Sequence, residues 1–216
     1  MLSANKAIAD AVFRNRSSHS PFLIVGSVGT GKSCILKELN TRIATGTMLS
    51  CEQLISRFIN AIQQGDLTSF RNTLHETDAL LIDDIQTLSC KIHTQTEMVN
   101  LLKAFGKPVI LTIQSGSFSF SAELTAYLDS CTTIHLPNAT TPIIAELFHK
   151  YRSAYSITLS SNEEAAIHTL ISSGFFQNYY QLEGFVKTLS LHRLTEVEPF
   201  TDSLIAFMRT GLRSFL

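Results

Sequence analysis

Residues Gly26 to Ser33 read "GSVGTGKS", which satisfies the spacing Gly-x-x-x-x-Gly-Lys-Ser. These residue types suit phosphate chemistry. Glycines let backbone N–H groups turn inward around phosphate oxygens, and a helix opening behind the loop adds a favourable dipole. Ser27, Val28, Gly29 and Thr30 fill the loop between Gly26 and Gly31. Lys32 supplies a cation for β- and γ-phosphates, and Ser33 a hydroxyl for Mg²⁺. The expected ligands are ATP or ADP with Mg²⁺. The plain alternative is a chance glycine-rich turn. An apolar run before the loop and a helical pattern after it argue against that.

A second group lies at "ALLIDD", residues 79–84. Asp83 ends an apolar run, where a carboxylate reaches Mg²⁺, partly through water. Asp84 follows and suits the orientation or activation of an attacking water. A solvated strand end also carries carboxylates. Its pairing with the phosphate loop favours the functional reading.

Both groups must be held by the elements around them. "FLIV" (22–25), "ALLID" (79–83) and "PVILT" (108–112) are short uncharged runs of strand length, with weaker strands expected at "TMLS" (47–50) and "TTIHL" (132–136). Helical spacing appears at 4–15, from Lys32 to about Ala44, and at Leu54, Phe58 and Ile62. A short helix runs to about Leu74, and another is expected to start from a Thr94–Glu97 capping box and run to Phe105. Uncharged strands alternating with helices predict a parallel sheet covered on both faces. After Pro137 only helices are expected: one opened by Pro142, one capped by Ser161 and Glu164, and one over 178–192. A last helix from Pro199 places Leu204, Phe207, Met208, Leu212 and Phe215 on one stripe. That stripe either packs on its own domain or docks in a partner's groove.

The chain of 216 residues is 44% apolar and 16% charged, a globular composition. Lys and Arg total 17 against 18 acids, so strong duplex-DNA binding would have to be local or supplied by a partner. Cys34, Cys51, Cys90 and Cys131 form no C-x-x-C pair, which fits reduced thiols and a cytoplasmic location. No apolar run approaches the ~20 residues that span a bilayer, so no membrane contact is expected.

The sequence "ALLIDDIQTLSCKIHTQTE" resembles the stretch "ALLIDDIQFLAGKERTQEE" of bacterial replication initiators, the DnaA family. "CEQLISRFINAIQQGDLTSFRNTL" is similar to a further stretch of that family, and "NYYQLEGFVKTL" to its "NVRELEGALNRL". The resemblance covers about residues 5–195. It implies a P-loop AAA+ αβα sandwich with a five-stranded parallel sheet, followed by a small all-helical lid. The boundaries expected are 1–138 for the nucleotide-binding core, 139–195 for the lid and 196–216 for a C-terminal helix.

The resemblance also shows where this chain departs from the family. An arginine completes the neighbouring subunit's ATP site in such assemblies, and Tyr127 and Cys131 stand at the two matching arginine positions. No arginine lies between Arg71 and Arg152. The lid arginine is replaced by Tyr180, with Lys187 two turns further on. At the tip of the strand over 108–112 the family's "TSDR" becomes Thr112-Ile113-Gln114-Ser115, where Gln114 can still orient a water. On the face that contacts DNA in the family, Lys91 remains and His93 replaces an arginine. His93 reads more readily as a solvated surface histidine than as a phosphate ligand. About twenty residues follow Leu194, too few for the family's helix-turn-helix domain.

The expectation is a nucleotide-binding DnaA-like protein of chromosomal replication initiation or its regulation. It would dock on the full-length initiator or another replication protein, with ATP hydrolysis weak or partner-dependent. The alternative is an active ATPase that loads or remodels protein on DNA, as helicase loaders do.

Overall fold

The structure, a computed structural model, describes residues 3–18, 20–138 and 140–194. Among these, five strands form one sheet: β1 (Phe22–Gly26), β2 (Gly46–Ser50), β3 (Ala79–Asp83), β4 (Val109–Gln114) and β5 (Thr132–His135). They lie in the order β2-β3-β4-β1-β5, and every pairing is parallel. All five C-terminal ends therefore meet at one edge of the sheet, where ligands bind in open α/β folds.

Side-chain alternation sorts the core into two layers. One face carries Ile24, Ala79, Leu81 and Ile110, covered by Ala9 and Val12 of α1 (Ser3–Asn15) and by Ile35, Leu36 and Leu39 of α2 (Lys32–Arg42). The other face carries Leu23, Leu80, Ile82, Val109 and Leu111. It is covered by α3 (Cys51–Gln63), α5 (Ile92–Phe105) and α6 (Ala122–Asp129), through residues such as Leu54, Met98, Leu102 and Leu124. Each fully buried leucine or isoleucine contributes about 1.5–3 kcal/mol over its exposed state. Uncharged central strands follow from having helices on both sides. Arg42 pairs with Asp10 and Glu38, which fastens α2 to α1 at the surface.

Local chemistry sets the helix starts. Ser50 caps α3 in a reciprocal box with Gln53, and Asp66 caps α4 (Leu67–His75) through the Ser69 N–H. Two expected caps shift. The helix α5 starts at Ile92 behind Lys91, with no side-chain cap, so the Thr94–Glu97 box does not form. Buried Gln95 organises that end instead: its amide donates to the Leu88 and Ser119 carbonyls and accepts from the Ser121 N–H. In α8 (Ser161–Ser172) the box is Ser160 with Glu163, one residue earlier than expected, and Glu164 is free to pair with Arg152 at 2.7 Å. The helix α6, capped by Ser121, is an element beyond those expected, although Leu124, Tyr127 and Leu128 carry its spacing. β4 also runs two residues past the expected end, to Gln114.

The chain divides into two compact units, residues 1–138 and residues from 139 onward. The described part of the second consists of α7 (Thr141–Ala154), α8 and α9 (Tyr179–Leu194). Its core is built from Ile144, Leu147, Phe148, Ile167, Leu170, Leu182, Phe185 and Val186. The expected 199–216 helix lies outside the described residues. Among the described residues no helix is long and apolar enough to cross a membrane.

Candidate functional site

The site is built at the C-terminal edge of the sheet, wholly within the first unit. β1 ends at Gly26, the loop turns through Gly31, and α2 starts at Lys32. The glycines are needed for two different reasons. A Cβ at Gly26 would stand 2.5 Å from the Thr30 hydroxyl and 3.0 Å from Leu136 Cβ. Gly31 has φ +92, in the left-handed region, and a Cβ there would strike the Asn5 amide at 2.3 Å. Asn5, buried on α1, donates to the Thr30 carbonyl at 3.1 Å and so props the loop from behind. Thr30 closes the loop on itself by donating its hydroxyl to the Ser27 carbonyl at 2.9 Å. Ser27 donates to Asn138 at 2.8 Å, and Val28 is exposed at the tip.

Lys32 is 7% exposed, and its ammonium donates to the Gly26 and Ser27 carbonyls at 2.7 and 2.9 Å. Burial lowers its pKa from the ordinary lysine value, against the opposing pull of Asp84 and Asp83. The cation, the loop and the two carboxylates therefore share one electrostatic environment. Ser33 sits in the first turn of α2, half-buried, where N–H groups have no intrahelical acceptor.

Asp83 and Asp84 follow from the register of β3 beside β4. The Thr112 hydroxyl, fully buried, donates to the Asp83 carboxylate at 2.5 Å and accepts from the Asp84 N–H at 2.9 Å. One hydroxyl thus holds the carboxylate of Asp83 and the backbone of Asp84. Asp84 has φ 61, an uncommon region for a non-glycine residue, which turns the chain into a 3-10 turn at Ile85–Leu88. Within that turn, Gln86 donates its amide to Asp84 Oδ1 at 2.8 Å and accepts from the Gln114 N–H at 3.1 Å. Gln114 is paired with Gly26 across β4 and β1, so the phosphate loop and the tip of β4 start side by side.

The residues expected from the sequence are thus brought to one edge. Asn5, Thr112 and Gln86 join them. Thr112 and Gln86 lie within the quoted motifs, and Asn5 stands where the resemblance begins. The arrangement suits a nucleoside triphosphate: a glycine-bearing loop running into a helix start, one buried cation, one hydroxyl in the first turn of that helix and a carboxylate at a strand end. Among the described residues no group of three or more His, Cys, Asp or Glu side chains forms a metal site alone. A Mg²⁺ ion here fits a site of few protein oxygens completed by phosphates and water.

Tyr127 and Cys131 lie elsewhere. Both are buried in the core under α6, with the Cys131 thiol donating to the Tyr127 carbonyl at 3.4 Å. Burial raises the Tyr127 pKa and pushes the Cys131 thiol up to about 12. The exposed residues of α6 and its end are Ala122, Thr125, Ala126, Asp129 and Ser130, none of them basic. In the second unit Tyr180 is exposed, and Lys187 is held by Glu183 at 2.7 Å. Lys91 and His93 are exposed at the start of α5, flanking exposed Ile92. The four cysteines are free, Cys34 and Cys90 exposed, Cys51 and Cys131 buried.

Residues 2–116 match the family described as the bacterial DnaA ATPase domain. The chain is 27% identical over 226 residues to the chromosomal replication initiator protein DnaA of Methylacidiphilum infernorum, covering 94% of this chain and 48% of that protein. It spans about half or less of the length of the curated relatives it matches. Among solved structures, domain III of the Thermotoga maritima replication initiation protein DnaA superimposes with TM-score 0.80 at 20% identity, over 96% of this chain and 90% of that one. A replication initiator DnaA bound to AMPPCP and single-stranded DNA does so with TM-score 0.76 at 20% identity, over 98% and 65%. At such identity these likenesses establish the AAA+ fold.

Proposed function

Because the chain belongs to the bacterial DnaA ATPase-domain family, we propose that it binds ATP or ADP with Mg²⁺ through Gly26–Ser33 and takes part in replication initiation or its regulation. In this reading Lys32 contacts the β- and γ-phosphates. Ser33 and Asp83 hold Mg²⁺, Asp83 partly through water. Asp84 and Gln114 flank the position of the attacking water. The single observation that carries the proposal is the self-supporting cluster of Lys32, Asp83, Thr112 and Asp84 behind a loop with room only for glycine at Gly26. A relative whose AMPPCP-bound structure shares the fold supports the choice of nucleotide.

The chain then works chiefly by docking on a full-length initiator or another replication protein. The support is the lack of any basic side chain on the exposed residues of α6. An arginine finger adds 10³–10⁵ in rate to phosphoryl transfer, so an isolated chain without one turns over little. It can still accept a finger from a neighbour. Titration of the purified chain with fluorescent ATP and ADP in Mg²⁺ tests the proposal; no binding of either nucleotide sinks it.

A second reading, an ATPase that loads or remodels protein on DNA, is favoured by one observation. The Asp84 carboxylate and the Gln114 backbone N–H both bond Gln86, which keeps these two positions side by side. Turnover that rises on adding single-stranded DNA or full-length initiator, and vanishes in Asp84→Asn, supports it. Flat turnover under both additions rejects it. Any direct DNA contact in either reading runs through Lys91, with His93 beside it.

A further inference from the structure

Gln86 makes two bonds that no neighbouring side chain duplicates. Its amide nitrogen donates to Asp84 Oδ1, and its amide oxygen accepts from the Gln114 backbone N–H. The first bond sets the direction of a carboxylate whose backbone already sits at φ 61. The second crosses from the turn after β3 to the tip of β4. Thr112 makes a similar crossing one step deeper, but to Asp83 and to the Asp84 N–H, and it leaves the Asp84 carboxylate unheld. The Asp84 carboxylate therefore points where Gln86 holds it.

From these contacts we infer that Gln86 is a positioning residue that couples Asp84 to the tip of β4, so that the two strands answer a γ-phosphate together. The inference rests on the nucleotide reading above and deepens it. ATP and ADP share every group except the γ-phosphate. A loop gripping α- and β-phosphates binds both alike. Discrimination must come from groups beyond the loop, and Asp84 and Gln114 stand there beside the field of Lys32. A side chain that ties them makes displacement of one felt by the other, as two strands linked by one planar amide move as a body.

The test compares the full chain with Gln86→Met and Gln86→Glu. Methionine keeps the length of the side chain and removes both bonds. Glutamate keeps the acceptor for Gln114 but sets a second carboxylate where the amide now donates to Asp84. Three quantities are measured: melting temperature, affinity for ADP and for a non-hydrolysable ATP analogue in Mg²⁺, and hydrogen exchange of the Gln114 amide. In Gln86→Met the melting temperature and ADP affinity stay near the parent's, the analogue's affinity falls about tenfold, and the Gln114 amide exchanges faster. In Gln86→Glu the acceptor for Gln114 is kept while two carboxylates face each other, so the analogue's affinity falls as in Gln86→Met but the Gln114 amide stays protected. Equal loss of both affinities in Gln86→Met marks Gln86 as structural only and overturns the inference. So does an unchanged ratio of the two affinities. Both outcomes leave nucleotide binding standing. A parent chain that binds neither nucleotide removes the underlying reading, and the inference with it.

Discussion

The phosphate-loop edge and the α6 side of the same sheet handle polarity in opposite ways. At the edge, Lys32, Asp83 and Thr112 are buried, yet each has a partner: loop carbonyls for the ammonium, a hydroxyl for the carboxylate. Under α6, Tyr127 and Cys131 are buried among leucines, and burial moves both away from their charged forms. The first region keeps charge by satisfying it. The second has none to satisfy. The family resemblance leads one to expect arginines at these two positions, and the structure places both side chains in the core. Here the two positions belong to the core, so restoring the residue type would not restore the group.

The largest expected effect tests that statement directly. Cys131→Arg buries an unpaired cation and costs about 3–5 kcal/mol of folding stability, read as a large drop in melting temperature. A variant that melts like the parent and gains ATP turnover would show that position 131 reaches the surface. Buried thiols sharpen the same point without mutation. At pH 8 a thiol-specific reagent labels Cys34 and Cys90 in the folded chain, and labels Cys51 and Cys131 only after denaturation.

Next comes Lys32→Ala. Loss of the one buried cation of the loop lowers ATP and ADP affinity by about a hundredfold, near 2.7 kcal/mol, in a nucleotide titration. An affinity within threefold of the parent would place the phosphates elsewhere. Thr112→Val is smaller. It leaves the Asp83 carboxylate and the Asp84 N–H without their shared hydroxyl and lowers stability by about 1.5–3 kcal/mol in denaturant unfolding. Nucleotide affinity measured in Mg²⁺ falls with it, because Asp83 loses its fixed direction. The smallest effect belongs to Ala126→Arg on the exposed side of α6. It changes stability by less than about 0.5 kcal/mol, and the contrast with Cys131→Arg in the same thermal melts is the comparison reduced to one helix.

Several features were legible because they are local. The phosphate loop is contiguous, and glycine, lysine and serine at fixed spacing leave little freedom of interpretation. Uncharged strands broadcast a sheet covered on both faces, and the alternation of Leu80, Leu81 and Ile82 between layers bears this out. The misread features depend on partners distant in sequence. Thr94 and Glu97 have the spacing of a capping box, but Gln95 reaches Ser119 and Ser121 and the helix has its N-cap three residues earlier, at Lys91. The helix α6 is only eight residues long, so its periodicity spans about two turns and gives little signal.

The phosphate loop, the family and the sheet are legible in the chain alone, because each is written in neighbouring residues or in composition. Only the folded molecule shows that Thr112 holds the Asp83 carboxylate and the Asp84 backbone, that Gln86 ties Asp84 to β4, that Asn5 backs Gly31, and that Tyr127 and Cys131 face inward. Those facts depend on strand order and register, which bring residues some thirty positions apart into contact. Side-chain spacing along one element carries no record of which strand will lie beside it.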